Sequence, residues 1–222
     1  MIMKKQLFGL AVLSFPMYAK ADIAIFSEVL FGKANNEFYA EQESDLGYKR
    51  ASSANSDSWG LRLGVGLTDR LALEIAQYFH GESLAEYPVH VSNTHSGIYQ
   101  NPYDYSYRAR FPIDTESLRL GIKGEIEVST NINANIRVGM AHWQYKDVIP
   151  AQLVPTGSNS SGDSGNDIYT SIGVEYRLTD NLYVGLEYSL LNIKESKEYD
   201  NTGVVQYEHN LHDISMLLGW AF

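Results

Sequence analysis

From His212 to Phe222 the chain places a large apolar side chain at every second position: Ile214, Met216, Leu218, Trp220 and Phe222, with Asp213, Ser215, Leu217, Gly219 and Ala221 between them. A period of two is that of a strand with two unlike faces. Seven further segments repeat it, at roughly 23–31, 57–67, 71–80, 115–128, 132–145, 167–178 and 182–194. Trp59, Leu61, Leu63, Val65 and Leu67 mark the apolar face of the second. Leu182, Val184, Leu186, Tyr188 and Leu190 mark that of the seventh. Gln77 and Gly124 interrupt the apolar face. No stretch approaches the ~18 uninterrupted apolar residues of a membrane helix. The sequence therefore predicts an all-β chain of eight antiparallel strands.

The connections alternate in length. Thr68–Arg70, Ser129–Asn131 and Thr179–Asn181 are tight turns, with Asp and Asn supplying local hydrogen bonds and unusual backbone angles. The motif Leu-Thr-Asp-x-Leu occurs at 67–71 and again at 178–182. The other connections, about 32–56, 81–113, 146–166 and 195–210, are expected to be long loops. Short turns and long loops on opposite sides require both chain ends on the short-turn side.

The N-terminal segment 1–21 is expected to be a secretory signal. Lys4 and Lys5 precede the apolar run Leu7–Phe15, and Ala19-Lys20-Ala21 fits a small-x-small cleavage site. The remaining domain, 22–222, would then hold 14 basic residues (17 less Lys4, Lys5 and Lys20) against 27 acidic ones. That balance excludes nucleic acid and polyanions, which need basic patches. There is no cysteine, so the fold cannot lean on disulfides.

Eight such strands close a barrel in one of two ways. A soluble barrel turns its apolar face inward around a ligand. A transmembrane barrel turns it outward to lipid, and its modest mean hydropathy is then no obstacle. The glycines Gly60, Gly64, Gly66, Gly121, Gly139, Gly173, Gly185 and Gly219 all fall on the polar face, which suits a crowded interior. Trp59, Phe79, Trp220 and Phe222 fall near strand ends, where interfacial girdles belong. These features predict an eight-stranded antiparallel transmembrane β-barrel with short periplasmic turns and long extracellular loops.

On strand count, turn parity and the Phe222 ending, the chain resembles small bacterial outer-membrane barrels of the OmpA transmembrane-domain type. The resemblance implies export by a Sec-type route and insertion into the bacterial outer membrane, among its lipid and lipopolysaccharide. It also implies that the barrel-assembly machinery reads the terminal strand, here Leu218, Trp220 and Phe222. No peptidoglycan-binding domain follows the barrel in this sequence, so tethering is not implied.

With the apolar face outward, the lumen receives Glu28, Arg62, Glu74, Arg119, Lys123, Glu125, Glu127, Arg137, Glu175, Arg177, Glu187 and Asp213. Confined charges must pair, and eight strands leave an interior that side chains can fill. A polar plug is the expectation, and a narrow gated ion path the alternative. Glu125 and Glu127 lie two apart on one strand, which any charged strand supplies, and no nucleophile accompanies them.

The connection 81–113 is rich in tyrosine: Tyr87, Tyr99, Tyr103, Tyr105 and Tyr107. Tyrosine offers apolar area and a polar tip at low entropic cost, so these form the candidate recognition loop. The connection also holds His90-Val-Ser92-Asn93, which matches a short motif of outer-membrane lipid A deacylases, with Ser92 as nucleophile and His90 as base if the match held. It falls mid-chain in an expected solvated loop, not on a late strand as in that family. The run Gly157–Gly165 is low-complexity. No histidine or aspartate spacing matches a metal site, and no cofactor is indicated. The reading is a monomeric, non-enzymatic surface barrel that serves envelope structure and loop-mediated adhesion or recognition, of the kind that colonisation and virulence factors use. A small channel is second and a deacylase remote.

Overall fold

The computed structural model describes residues 24–42, 49–93, 103–146, 164–199 and 203–222. The expected signal 1–21 lies outside the described residues. Eight strands follow one another: β1 (Ile25–Gln42), β2 (Lys49–Thr68), β3 (Leu71–Asn93), β4 (Tyr103–Ser129), β5 (Ile132–Tyr145), β6 (Ser164–Arg177), β7 (Leu182–Tyr199) and β8 (Gly203–Ala221). Each pairs antiparallel with its sequence neighbour, and β8 returns to β1 from Phe26↔Ala221 to Gln42↔Val205. Closure removes every sheet edge at membrane depth, where an unpaired backbone group would have no water to bond.

The alternation runs inside out relative to a soluble protein. Leu63, Leu120, Ile136, Leu186 and Ile214 face outward and are exposed, whereas Arg62, Arg119, Arg137, Glu187 and Asp213 face inward and are buried. On β2 the outward apolar run from Leu67 to Trp59 covers roughly 26 Å of strand, about the length that crosses the apolar band at the usual tilt. Above it the outward positions turn polar together: Lys33, Asp57, Glu82, Glu116, His142 and Asn166. Lys33 pairs with Asp57, and Lys146 with Glu116, in this collar. Just beneath, Trp59 stacks on Phe79 at 4.2 Å. Gln77 sits in the outward face between Leu61 and Leu118.

The repeated Leu-Thr-Asp-x-Leu motif has a common local cause. Thr68 Oγ1 accepts hydrogen bonds from the backbone N–H of Arg70 and Leu71, at 3.2 and 3.1 Å. Thr179 Oγ1 does the same for Asn181 and Leu182, at 3.3 and 3.0 Å. The threonine hydroxyl thus nucleates both tight turns.

The expected long loops are a correction. Most of 32–56, 81–113 and 195–210 is strand, paired as far out as Glu41↔Lys49, Asn93↔Tyr103 and Tyr199↔Gly203. Beyond the membrane neither strand face meets lipid. The apolar–polar contrast fades there while the backbone ladder continues, so a hydropathy pattern ends long before the strand does. A bulge also hides the phase of β3. Its register shifts between Phe79 and Glu82, with Gly81 at φ +70°, a conformation glycine adopts without a Cβ penalty. Below the bulge the even residues Glu74, Ala76, Tyr78 and His80 point inward; above it the inward residue is Ser83.

Candidate functional site

The lumen is built in layers. At the periplasmic end a cavity of about 430 Å³ opens between the short turns, lined among others by Lys123, Glu125, Glu175, Arg177 and Tyr183. Above it sits an ion network drawn from seven strands, β1 to β7. Arg62 pairs with Glu28 and, at 2.8 Å, with Glu187. Arg137 reaches Glu187 at 2.9 Å, Glu74 and Glu175 at 3.1 Å, and Glu28 at 3.3 Å. Lys123 holds Glu175 at 2.8 Å and Glu125 at 2.5 Å. Tyrosine hydroxyls donate to the same carboxylates: Tyr183 to Glu28 at 2.8 Å, Tyr78 to Glu187 at 3.0 Å and Tyr169 to Glu74 at 3.2 Å. The charges need one another, because a buried carboxylate without partners costs several kcal/mol.

The next layer is hydroxyl-rich. His80 Nδ1 lies 3.1 Å from Asp213 and its Nε2 lies 3.0 Å from Ser117 Oγ. Arg119 donates to Ser189 at 2.6 Å and to Ser117 at 3.2 Å, and stacks over the Tyr78 ring at 3.9 Å. The Asp–His–Ser sequence of contacts is that of a hydrolytic triad, but all three side chains are buried in the barrel, and none of them lines the cavity at the periplasmic end. Above this, Ala34, Ala141, Trp143, Tyr169, Leu191, Ile193 and Leu211 form an apolar plug. Trp143 donates from Nε1 to Asp167 at 2.7 Å. His209 stacks on Phe38, with its ring nitrogens 2.9 Å from the Tyr145 hydroxyl and 3.0 Å from Asn36 Oδ1. It lies beyond the collar, and burial, with the neighbouring His80, pushes its pKa down to about 3.

The lumen glycines make room for these rings. A Cβ on Gly64 would overlap the Phe26 ring, one on Gly219 the Tyr183 ring, and one on Gly121 the Tyr169 hydroxyl. Aromatic rings packed across glycines fill the interior and stiffen a strongly coiled sheet.

Of the sequence-predicted lumen charges, Glu28, Arg62, Glu74, Lys123, Arg137, Glu175 and Glu187 come together in one network. Arg119 and Asp213 belong to the layer above, 3.5 Å apart. Glu125 is partly exposed at the mouth. Glu127 and Arg177 keep the inward parity of their strands but are exposed, because they stand beside the periplasmic turns where the lumen opens; Arg177 lines the cavity there. Tyr87, Tyr103, Tyr105 and Tyr107 lie not in a loop but on the β3–β4 hairpin, at register positions Tyr87↔Ala109, Val89↔Tyr107, Val91↔Tyr105 and Asn93↔Tyr103. Tyr99 and most of 157–165 lie outside the described residues. His90 and Ser92 likewise sit on β3, opposite Ser106 and Asp104, and not in a loop. Leu218, Trp220 and Phe222 lie on the outward face at the periplasmic rim, where the Phe222 N–H bonds Ile25 O at 2.8 Å.

Sequence reasoning missed Tyr78, Tyr169, Tyr183, His80, Ser117, Trp143 and His209. Their inward parity was readable for Tyr78 and Tyr183, which alternate with the outward Phe79 and Leu182. None of the seven is an Asp, Glu, Lys or Arg, so the pattern of lumen charges does not include them.

A family model, outer membrane protein beta-barrel domain, matches residues 9–222. The chain belongs to the outer-membrane β-barrel family. It is thus a transmembrane protein of the bacterial outer membrane. The outer membrane protein OprG from Pseudomonas aeruginosa is similar in fold, with a TM-score of 0.54 at 11% identity over 89% of this chain and 95% of that one. The outer membrane protease OmpT from Escherichia coli gives 0.53 at 11% identity, over 90% and 97%. At such identities these likenesses speak for the fold alone. Among curated proteins, none matches this sequence significantly.

Proposed function

We propose that this barrel is a non-enzymatic surface protein: a sealed transmembrane anchor whose extracellular β-arms serve adhesion or recognition. The observation that carries this reading is the split between its two halves. A transmembrane strand needs ~9–11 residues, whereas β3 and β4 run for 23 and 27. Meanwhile the lumen is filled by a paired ion network and, above it, an apolar plug around Trp143. Material has been added where partners are met and not where solutes would pass.

On this reading residues 1–21 direct export, the terminal strand with Phe222 is what the assembly machinery reads, and lipopolysaccharide surrounds the outer collar. The runner-up is a narrow channel gated through both lumen layers. Two measurements separate them. Cells with and without the protein are scored for attachment to surfaces and host cells, and purified protein is tested in planar bilayers. Loss of attachment on shortening the β3–β4 hairpin, with no steady conductance, is the expected pair. Conductance that follows lumen charge, with attachment unchanged, reverses the assignment.

A further inference from the structure

Above the membrane the closed barrel separates into ladders of unequal length. The β2–β3 ladder starts only at Trp59↔Phe79, although β2 extends out to Lys49 along β1. The last stitches across this seam are Ser56 Oγ donating to His80 O and the close approach of Gly81 to the Asp57 carbonyl. Beyond them β2 residues 49–55 have a neighbouring strand on the β1 side only, among the described residues. About seven residues at ~3.3 Å each give an edge of roughly 23 Å with half its backbone donors and acceptors turned outward.

The other strand edges left open above the membrane carry devices that block strand addition. β3 above its bulge carries Pro88. β4 before Thr115 carries Arg108, Arg110 and Pro112. β7 beyond Leu191 carries Lys194 and Lys197, and β6 before Tyr169 carries Asp167. Proline, bulges, charge and shortness are the means by which edges are kept from pairing. Ala51-Ser52-Ser53-Ala54-Asn55 has no proline, bulge or charge; Lys49 and Arg50 stand only at its outer end.

Residues 51–55 are small by sequence, and two of them are held back. Asn35 of β1 donates to Ser53 Oγ at 3.4 Å and to Asn55 Oδ1 at 2.9 Å, so both polar groups are drawn towards β1. Across the existing ladder, Tyr39, Phe38 and Glu37 stand opposite Ala51, Ser52 and Ser53. Small residues beside large ones are a favourable cross-strand arrangement, and Ser53 and Asn55 are exposed.

We propose that β2 residues 51–55 form a strand-addition site for an extended segment of another polypeptide, one that presents β-branched and aromatic side chains to the small β2 residues and a carboxylate towards Lys49 and Arg50. A second copy of this chain does not meet the requirement, since β2 against β2 would set small residues against small. This inference rests on the surface-protein reading and names the kind of partner that surface takes.

The test uses the whole folded barrel in nanodiscs, with amide exchange read by NMR. The probe is a synthetic nonapeptide alternating Thr with Val and Tyr and ending in Asp. Without peptide, alternate amides of 51–55 should exchange fast and those facing β1 slowly. With peptide, the fast set should slow by about tenfold or more. Ser53→Lys with Asn55→Lys, or Ser53→Lys alone if the pair folds poorly, should abolish the slowing, as should a central proline in the peptide. Slow exchange of every amide in the free barrel, no slowing with peptide, or equal slowing by the proline peptide would each overturn the proposal. None of these outcomes touches the sealed lumen, which conductance tests separately.

Discussion

Arg137→Ala tests whether the lumen network is a structural seal. The Arg137 guanidinium is wholly buried and lies within 3.3 Å of carboxylate oxygens on Glu28, Glu74, Glu175 and Glu187. Removing it leaves Arg62 and Lys123 as the cations facing those four carboxylates. Breaking a buried ion pair from one side costs about 3–5 kcal/mol, because the surviving charges stay buried. That is two to four powers of ten in the folding equilibrium, roughly. Arg137→Met should be nearly as damaging, since it keeps bulk but not charge. Adding Glu187→Gln to Arg137→Met should recover part of the loss. The assay is urea unfolding from lipid vesicles, followed by tryptophan fluorescence and by the gel shift between heated and unheated samples. Conductance in planar bilayers should stay at background, because the plug of Trp143, Leu191, Ile193 and Leu211 still closes the lumen above. Only Arg137→Ala combined with Trp143→Ala should leak. An Arg137→Ala barrel within about 0.5 kcal/mol of the parent, or one that conducts by itself, would refute the reasoning.

Other outcomes follow from the same layers. Leu186→Arg and Val138→Arg, on the lipid face, should each cost about 2–4 kcal/mol near the midplane, whereas charges placed at the inward positions Ser189 and Ala141 should show no such dependence on depth in vesicles of different thickness. Gly64→Val and Gly219→Val should destabilise the barrel, since the new Cβ overlaps the Phe26 or Tyr183 ring; Gly124→Ala, which meets only ordinary contacts with Ile136 and Leu71, should be tolerated when the two are compared in urea. His209 is held neutral when folded, with its pKa lowered to about 3 from 6.5. The unfolded chain takes up a proton that the folded one refuses. Stability should therefore fall as pH drops below about 6.5, by on the order of 1.4 kcal/mol per unit, and His209→Phe should flatten that slope in urea titrations at pH 7, 5.5 and 4. Deleting Phe222 should slow insertion into the outer membrane, as pulse-chase of the heat-modifiable form would reveal.

The alternation of Ile214 to Phe222 and its seven echoes determined the strands and their two faces, because unlike surroundings on the two sides of a sheet impose a period of two; glycines on the polar face and aromatic residues at the strand ends turned the apolar face to lipid. The fifth strand, 132–145, was readable to the residue for that reason. The tight turns were readable through their Asp and Asn residues, although Thr68 and Thr179 are the side chains that accept the local hydrogen bonds. Three things were decided only by the tertiary structure. The arms beyond the collar are strands held by partners distant in sequence, with no lipid on either face and hence little hydropathy contrast; this is why Tyr87, Tyr103, Tyr105 and Tyr107 read as loop residues. The bulge at Gly81 reverses the facing of β3 beyond it, so His80 and Ser83 both point inward despite opposite parity. Which inward charges meet depends on stagger around the closed barrel, not on spacing along a strand. Arg137 and Glu28 are 109 residues apart, while Glu127, two residues from Glu125, stands outside the network. Period along a strand is a local property and the sequence carries it; register between strands, closure and lumen packing are properties of the assembled sheet.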